Sequence, residues 1–291
     1  MAASTKTVHL PGAGTLELQQ SLTGHKARGG GPGGVTWPGG ESLASWLAAQ
    51  RCEDASVPID AEVSTALSTG SVSSVVELGC GTGAVGLALA KLGVPLVVAT
   101  DGDENTCTLC AGNAQRAGLP AVTCCQLEWG DAAPAQLEAA LGHVGRAGGQ
   151  CAQWIVAGDV VYHPQSSLEL EVTLRQLILR GGCSLVIISW CERGQQAEQF
   201  LWRLSDLGTV RTAFRERDSR FSFMTRRQGR LMQREVEHGI SLLSIDGRGA
   251  AASTMSQLRQ RWRIQWARAN CAMAACIRRC RSAEQVRLQD R

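Results

Sequence analysis

The chain has 291 residues, 44% of them apolar, enough for one large domain with extensions around a well-buried core. No stretch approaches the roughly 20 uninterrupted apolar residues of a membrane helix, and the N-terminus lacks the charged-then-apolar layout of a secretory signal, so a soluble cytoplasmic or nuclear protein is expected. The formal charge of +3 hides an asymmetry: from Arg248 onward ten arginines face only Glu284 and Asp290, leaving that segment at +8 and the body at −5.

Thr7 to Gln20 alternates apolar and polar residues around Pro11-Gly12-Ala13-Gly14, which predicts a hairpin. A glycine-rich loop follows from Gly24 to Gly40, and Trp37-Pro38 precedes an amphipathic helix from near Glu41 with Leu43, Trp46 and Leu47 on one face. A polar linker is expected up to about Ser71. Strands are then predicted at Val72 to Leu78, Pro95 to Thr100, Ala121 to Leu127, Trp154 to Val161 and Ser184 to Trp190. They alternate with helices at Ala84 to Leu92, Glu104 to Ala117, Ala132 to Leu141, Pro164 to Leu179 and Gln195 to Leu207. That rhythm implies a parallel sheet covered on both faces. Beyond Gly208 the pattern changes to a strand at Thr209 to Arg215, a polar arginine-rich connection, and a strand at Ile240 to Ile245, an expected antiparallel hairpin at the sheet edge. Residues 1–71 form the expected N-terminal hairpin, glycine-rich lid and helix, 72–247 the core, and 248–291 a basic tail.

The twelve cysteines are scattered, as free thiols are. Cys107 and Cys110 make one CxxC, but Cys124 and Cys125 have the wrong spacing for a zinc knuckle, so no metal is expected.

Gly79, Gly81 and Gly83 sit where a strand turns into a helix, a place where backbone N–H groups can approach a ligand closely. From Gly81 the same residues also spell GxGxxG through Gly83 to Gly86, with Asp101 some 20 residues on, so a dinucleotide fingerprint is formally met. Glu77, two residues before the first glycine, favours a cationic cofactor over a pyrophosphate and resembles the E/DxGxGxG motif of methyltransferases. Asp101 ends the second core strand, where a carboxylate can bind ribose hydroxyls, and Asp103 is the reserve candidate or a helix cap. Trp129 could pack on adenine, and Gly158 could leave room for it. Asp159 and Tyr162, in GDVVYHP, end the fourth core strand, an acid and a phenol suited to an amine. Trp190, closing the fifth, could wall a lysine channel or simply pack in the core.

These segments, from Leu16 to Ile245, resemble the seven-β-strand protein-lysine methyltransferases, the family 16 group that includes the enzymes acting on valosin-containing protein and elongation factor 2. LELQQS, GVTWP, VVELGCGTGAVGL, the Thr100-Asp101 pair, LEWGD and DVVY occur in that family's order and spacing. The resemblance implies a Rossmann-like seven-stranded methyltransferase sheet, mostly parallel with an antiparallel edge hairpin, plus the N-terminal extension. It implies S-adenosylmethionine contacts from Trp37, Gly79, Cys80, Gly81, Asp101, Trp129 and Gly158, with Asp159 and Tyr162 at the substrate. Glu216 to Gly239 fits the family poorly, and the tail has no counterpart in it.

The expected reaction is in-line transfer of a methyl group to a lysine amine of a protein, by a monomer. Two alternatives stand beside it. One is an RNA or small-molecule methyltransferase on the same fold, for which Trp262 and Trp266 in the basic tail offer a stacking surface; against it, DVVY stands where an NPPY-type motif would be. The other is a silent module that retains the cofactor pocket as scaffold.

Overall fold

The computed structural model describes residues 4–21, 32–54, 56–143, 153–180, 182–192, 196–227 and 230–245, without the side chains of 32, 140–143, 218–227 and 230–236. The tail, with Trp262 and Trp266, lies outside the described residues, as do Arg193 and the loop segment 22–31.

The predicted hairpin is present as β1 (Ser4–Leu10) and β2 (Gly14–Gln20), paired from Ser4↔Gln20 to Leu10↔Gly14. Val8, Leu10, Leu16 and Leu18 are buried, which is the period-2 pattern of a strand pair with one wet face. Helix α1 (Pro38–Cys52) begins three residues earlier than Glu41, because Pro38 takes the first helical position, where a missing N–H costs nothing. The expected polar linker is largely a helix, α2 (Ala61–Thr69). Asp60 caps it by accepting from the Val63 N–H at 3.2 Å, and Gly70 ends it in the left-handed region. Arg211 pins it to the sheet edge through Asp60 (3.0 Å) and Glu62 (2.7 Å).

From there strand and helix alternate as expected: β3 (Val75–Leu78), α3 (Ala84–Lys91), β4 (Val97–Asp101), α4 (Glu104–Arg116), β5 (Val122–Gln126), α5 (Ala133–His143), β6 (Trp154–Gly158), α6 (Pro164–Leu179), β7 (Leu185–Cys191) and α7 (Gln196–Leu204). The chain closes with β8 (Thr209–Arg227) and β9 (Arg230–Ser244), giving a seven-stranded sheet in the order β5-β4-β3-β6-β7-β9-β8. The first five strands are parallel; β9 runs antiparallel to both β7 and β8. Successive residues feed opposite layers. Val76, Ile155 and Val186 pack with Leu170 and Leu174 of α6 and Phe200 of α7, whereas Val75, Val156 and Leu185 pack with Leu47 of α1, Val63 of α2 and Leu89 of α3. Strands buried on both faces are why this part of the sequence reads as apolar runs.

The closing hairpin departs from the expectation. The arginine-rich connection is itself strand, so that β8 and β9 continue well beyond the sheet as a two-stranded ribbon. Beside β7 the ladder stops at Cys191↔His238, whereas β8 and β9 stay paired out to Arg227↔Arg230.

Candidate active site

The chain leaves β3 through Gly79 and Gly81, whose φ angles of +74° and +53° lie in the left-handed region. The Gly81 N–H donates to Asp101 Oδ2 at 3.1 Å, and the Cys80 N–H to the Thr100 carbonyl at 2.8 Å, which ties the loop to the end of β4. Helix α3 starts at Gly83, a residue without a side chain to cap it. Glu77 fills that role from below: its Oε2 accepts from the Gly86 N–H at 2.9 Å. A Cβ on Gly86 would lie 2.4 Å from the same oxygen, so the glycine at the end of the dinucleotide-like spacing makes room for Glu77. A carboxyl thus already takes one of the N–H groups at the start of α3. Burial pushes the Glu77 carboxyl up to about 8, and the charge of Asp101 adds to the rise.

In front of the loop opens a cavity of about 810 Å³, lined by Trp37, Gly79, Gly81, Asp101, Trp129, Gly158, Asp159 and Tyr162. All of these were expected at the site. Glu77 and Cys80 lie behind the loop instead, on a recess of about 40 Å³ that Trp37, Gly79, Gly81 and Gly158 also border. The Cys80 thiol hydrogen-bonds with Cys110, which favours its thiolate, yet burial and the nearby acids push it up to about 12, so it is inert at neutral pH. Burial likewise raises Asp101 above the usual carboxylate range. Asp103 also lines the cavity, but its Oδ1 accepts from the Asn105 N–H at 3.0 Å, the helix-capping role.

Sequence reasoning missed Glu128, Ser166 and Glu169. Glu128 was in plain view beside Trp129; Ser166 and Glu169 reach the rim because α6 starts directly after Tyr162. Together the cavity carries five carboxyl groups, Asp101, Asp103, Glu128, Asp159 and Glu169, and among its described lining residues no lysine, arginine or histidine. Such a site suits cationic ligands and repels phosphates.

Asp159 has φ +56°, a conformation that aspartate and asparagine tolerate better than other side chains. Its N–H donates to both the carbonyl and the Oγ of Ser189 (3.1 Å each), and Ser189 Oγ donates onward to the Gly39 carbonyl at 2.8 Å. Gly39 packs so closely that a Cβ there would lie 2.5 Å from Asp159 Cβ. The end of β6 is thus locked to the first turn of α1, directly after Trp37. Tyr162 is 40% exposed at the rim. Trp190 is not at the cavity: it is buried, its Nε1 donates to Ser241 Oγ at 3.0 Å, and Arg215 stacks over its ring. Its ring lies over Gly239 of β9, where a Cβ would come within 2.6 Å of it, so core packing, one of its two readings, is the one realised.

The polar atoms also fit a bound S-adenosylmethionine. Trp129 Nε1 is buried with no hydrogen-bond partner, an orphan donor at the cavity wall. The acids complement a sulfonium and an ammonium.

A family model described as lysine methyltransferase matches residues 17–207. The chain belongs to the lysine methyltransferase family. It is an S-adenosylmethionine-dependent methyltransferase, and the glycine loop belongs to its methyl-donor fold rather than to a dinucleotide enzyme. No curated protein matches the methyltransferase chain.

Among solved structures, it is similar to precorrin 8W decarboxylase of Methanobacterium thermoautotrophicum (24% identity, 64% of this chain and 92% of that one, TM-score 0.39). It is also similar to a dimethyladenosine transferase of Plasmodium falciparum (13%, 66% and 64%, 0.41) and to TrmK of M. capricolum in complex with S-adenosylhomocysteine (11%, 59% and 62%, 0.38). No helix among the methyltransferase's described residues is long and apolar enough to cross a membrane.

Proposed function

We propose that the protein is a protein-lysine N-methyltransferase with Asp159 and Tyr162 at the acceptor amine. The observation that carries this reading is the cavity's composition, five carboxyls and among its described lining residues no basic one, beside a family match described as lysine methyltransferase. A phosphate-bearing acceptor would enter against that charge; an alkylammonium would be drawn in.

In this reading Trp37, Gly79, Gly81, Asp101, Trp129 and Gly158 hold the cofactor, with Glu77 and Cys80 supporting the loop from behind. When bound, S-adenosylmethionine supplies an electrophilic methyl group and a positive sulfonium that disfavours protonation of an amine beside it. A lysine amine, with a solution pKa of about 10.4, must reach the site neutral. Asp159 draws in the ammonium, accepts its proton directly or through water, and with the Tyr162 hydroxyl aims the nitrogen lone pair. Methyl transfer to that nitrogen would leave the donor as S-adenosylhomocysteine, and Asp159 would pass the accepted proton to solvent. Catalysis comes mainly from alignment, for which the lock between Asp159, Ser189 and Gly39 is suited.

The test is Asp159→Asn, because asparagine tolerates the left-handed backbone and removes only the charge. Methyl transfer is expected to fall about a hundredfold or more, with S-adenosylhomocysteine binding retained in calorimetry. Unchanged turnover overturns the assignment. Asp159→Ala would add backbone strain to the loss of charge and is the poorer probe.

A further inference from the structure

The ribbon formed by the outer parts of β8 and β9 is not needed to complete the sheet. Beside β7 the pairing ends at Cys191↔His238, with one further bond from the Glu192 N–H to the Glu237 carbonyl at 2.7 Å. From Glu237 back to Arg230 the ribbon runs on for about 25 Å at strand spacing. Its direction is fixed by topology. Because β9 is antiparallel to β7, the ribbon leaves the sheet at the carboxyl end of β7, the end at which Asp159 and Tyr162 follow β6.

Its charge is also set apart. From Asp218 to Glu235 the sequence has Arg220, Arg226, Arg227, Arg230 and Arg234 against the acids Asp218 and Glu235 at its two ends, a net +3 in a body whose net charge is negative. At the ribbon's base Glu237 is already engaged by Arg215 and by Arg217 at 3.9 Å, so it does not offset the arginines further out. Past Glu237, the backbone edge of β9 that faced β7 has no strand partner among the described residues. A row of open N–H and C=O groups matches a polypeptide main chain, not a sugar-phosphate one. The chain's own tail is an unsuitable occupant, since it is itself strongly basic.

We infer that this ribbon is a substrate-docking arm that takes an extended, acidic segment of a protein along the open edge of β9, presenting a lysine of that protein to the Asp159–Tyr162 end of the sheet. The inference rests on the reading of the acceptor as a protein. A segment added there continues the line of β7, the strand adjacent to β6, so it approaches the rim from the ribbon side.

The experiment is fluorescence anisotropy on the full chain with a labelled glutamate-rich peptide carrying one central lysine, in parallel with a proline-interrupted peptide of equal charge and a single-stranded RNA. Binding needs no turnover, so failure of the catalytic reading leaves this readout intact. The glutamate peptide is expected to bind, to weaken with salt, and to bind about tenfold more weakly to R226E/R227E/R230E. The proline peptide is expected to bind poorly, since it lacks the main-chain donors. The milder R226Q/R227Q/R230Q variant should show an intermediate loss, and calorimetry with S-adenosylhomocysteine should match the unaltered chain for both, certifying the fold. Unchanged peptide binding in both variants overturns the proposal, because the tail alone would then hold the acid. Equal binding of the proline peptide overturns strand addition, and tighter ribbon-dependent binding of RNA replaces the protein partner with a nucleic acid.

Discussion

Glu77 Oε2 accepts a hydrogen bond from the Gly86 N–H at 2.9 Å, joining the end of β3 to the first turn of α3 beneath the cofactor loop. The carboxyl supports the start of α3 from behind the loop, while the family match assigns the glycines to S-adenosylmethionine.

Gly86→Ala tests that packing. In an ordinary helix the change stabilises by about 1 kcal/mol. Here the new Cβ would lie 2.4 Å from Glu77 Oε2 and 3.2 Å from Val97 Cγ1. A lower Tm and weaker S-adenosylhomocysteine binding are expected by thermal melting and calorimetry; a stabilised variant would show that the contact relaxes freely.

Glu77 also gives the cofactor-free protein a pH signature. Its folded pKa is raised by burial to about 8, above its unfolded value, so its contribution to stability is fully present below the usual carboxylate range and is lost as pH rises through about 8. Tm should decline over that window, and Glu77→Gln should flatten the decline. An identical slope in the variant contradicts the assignment.

Asn113 is a hub that nothing in its sequence context advertised. Fully buried on α4, it accepts from the Gln19 N–H at 2.9 Å and donates to the carbonyls of Gln19 (3.1 Å) and Thr82 (2.8 Å), joining the N-terminal hairpin to the cofactor loop. Asn113→Ala should cost about 2–3 kcal/mol by denaturant unfolding, because buried backbone partners lose their bonds. A loss near zero would mean that water replaces the side chain.

Gly39→Ala probes alignment from a distance. The Cβ would lie 2.5 Å from Asp159 Cβ, so the carboxyl must shift. A misplacement near one ångström costs about a hundredfold in rate. The expected result is a kcat loss of that order while S-adenosylhomocysteine still binds; an unaltered kcat would separate Asp159 from the chemistry.

The parallel core was legible because strands such as Val75–Leu78 and Leu185–Cys191 are buried along their length and announce themselves as apolar runs. The strand ends named the cavity for the same reason: a parallel sheet gathers its carboxyl ends at one edge. What escaped was polar structure. Helix α2 carries only Val63, Ser64 and Leu67 inward, so its cap at Asp60 and its stop at Gly70 were the only signals, and they went unused. The ribbon runs past the end of β7, and its arginines read as a connection. Trp190 could have been placed at the rim or in the core, because which way a strand-end side chain points depends on its neighbours, here Ser241 and Arg215.

The most direct measurement of the central claim is mass spectrometry of cell-extract proteins after incubation with isotopically labelled S-adenosylmethionine, comparing the unaltered chain with Asp159→Asn. The account predicts labelled methyl groups on lysine side chains with the first and not with the second. Label in the RNA fraction, or on protein side chains other than lysine, would contradict it.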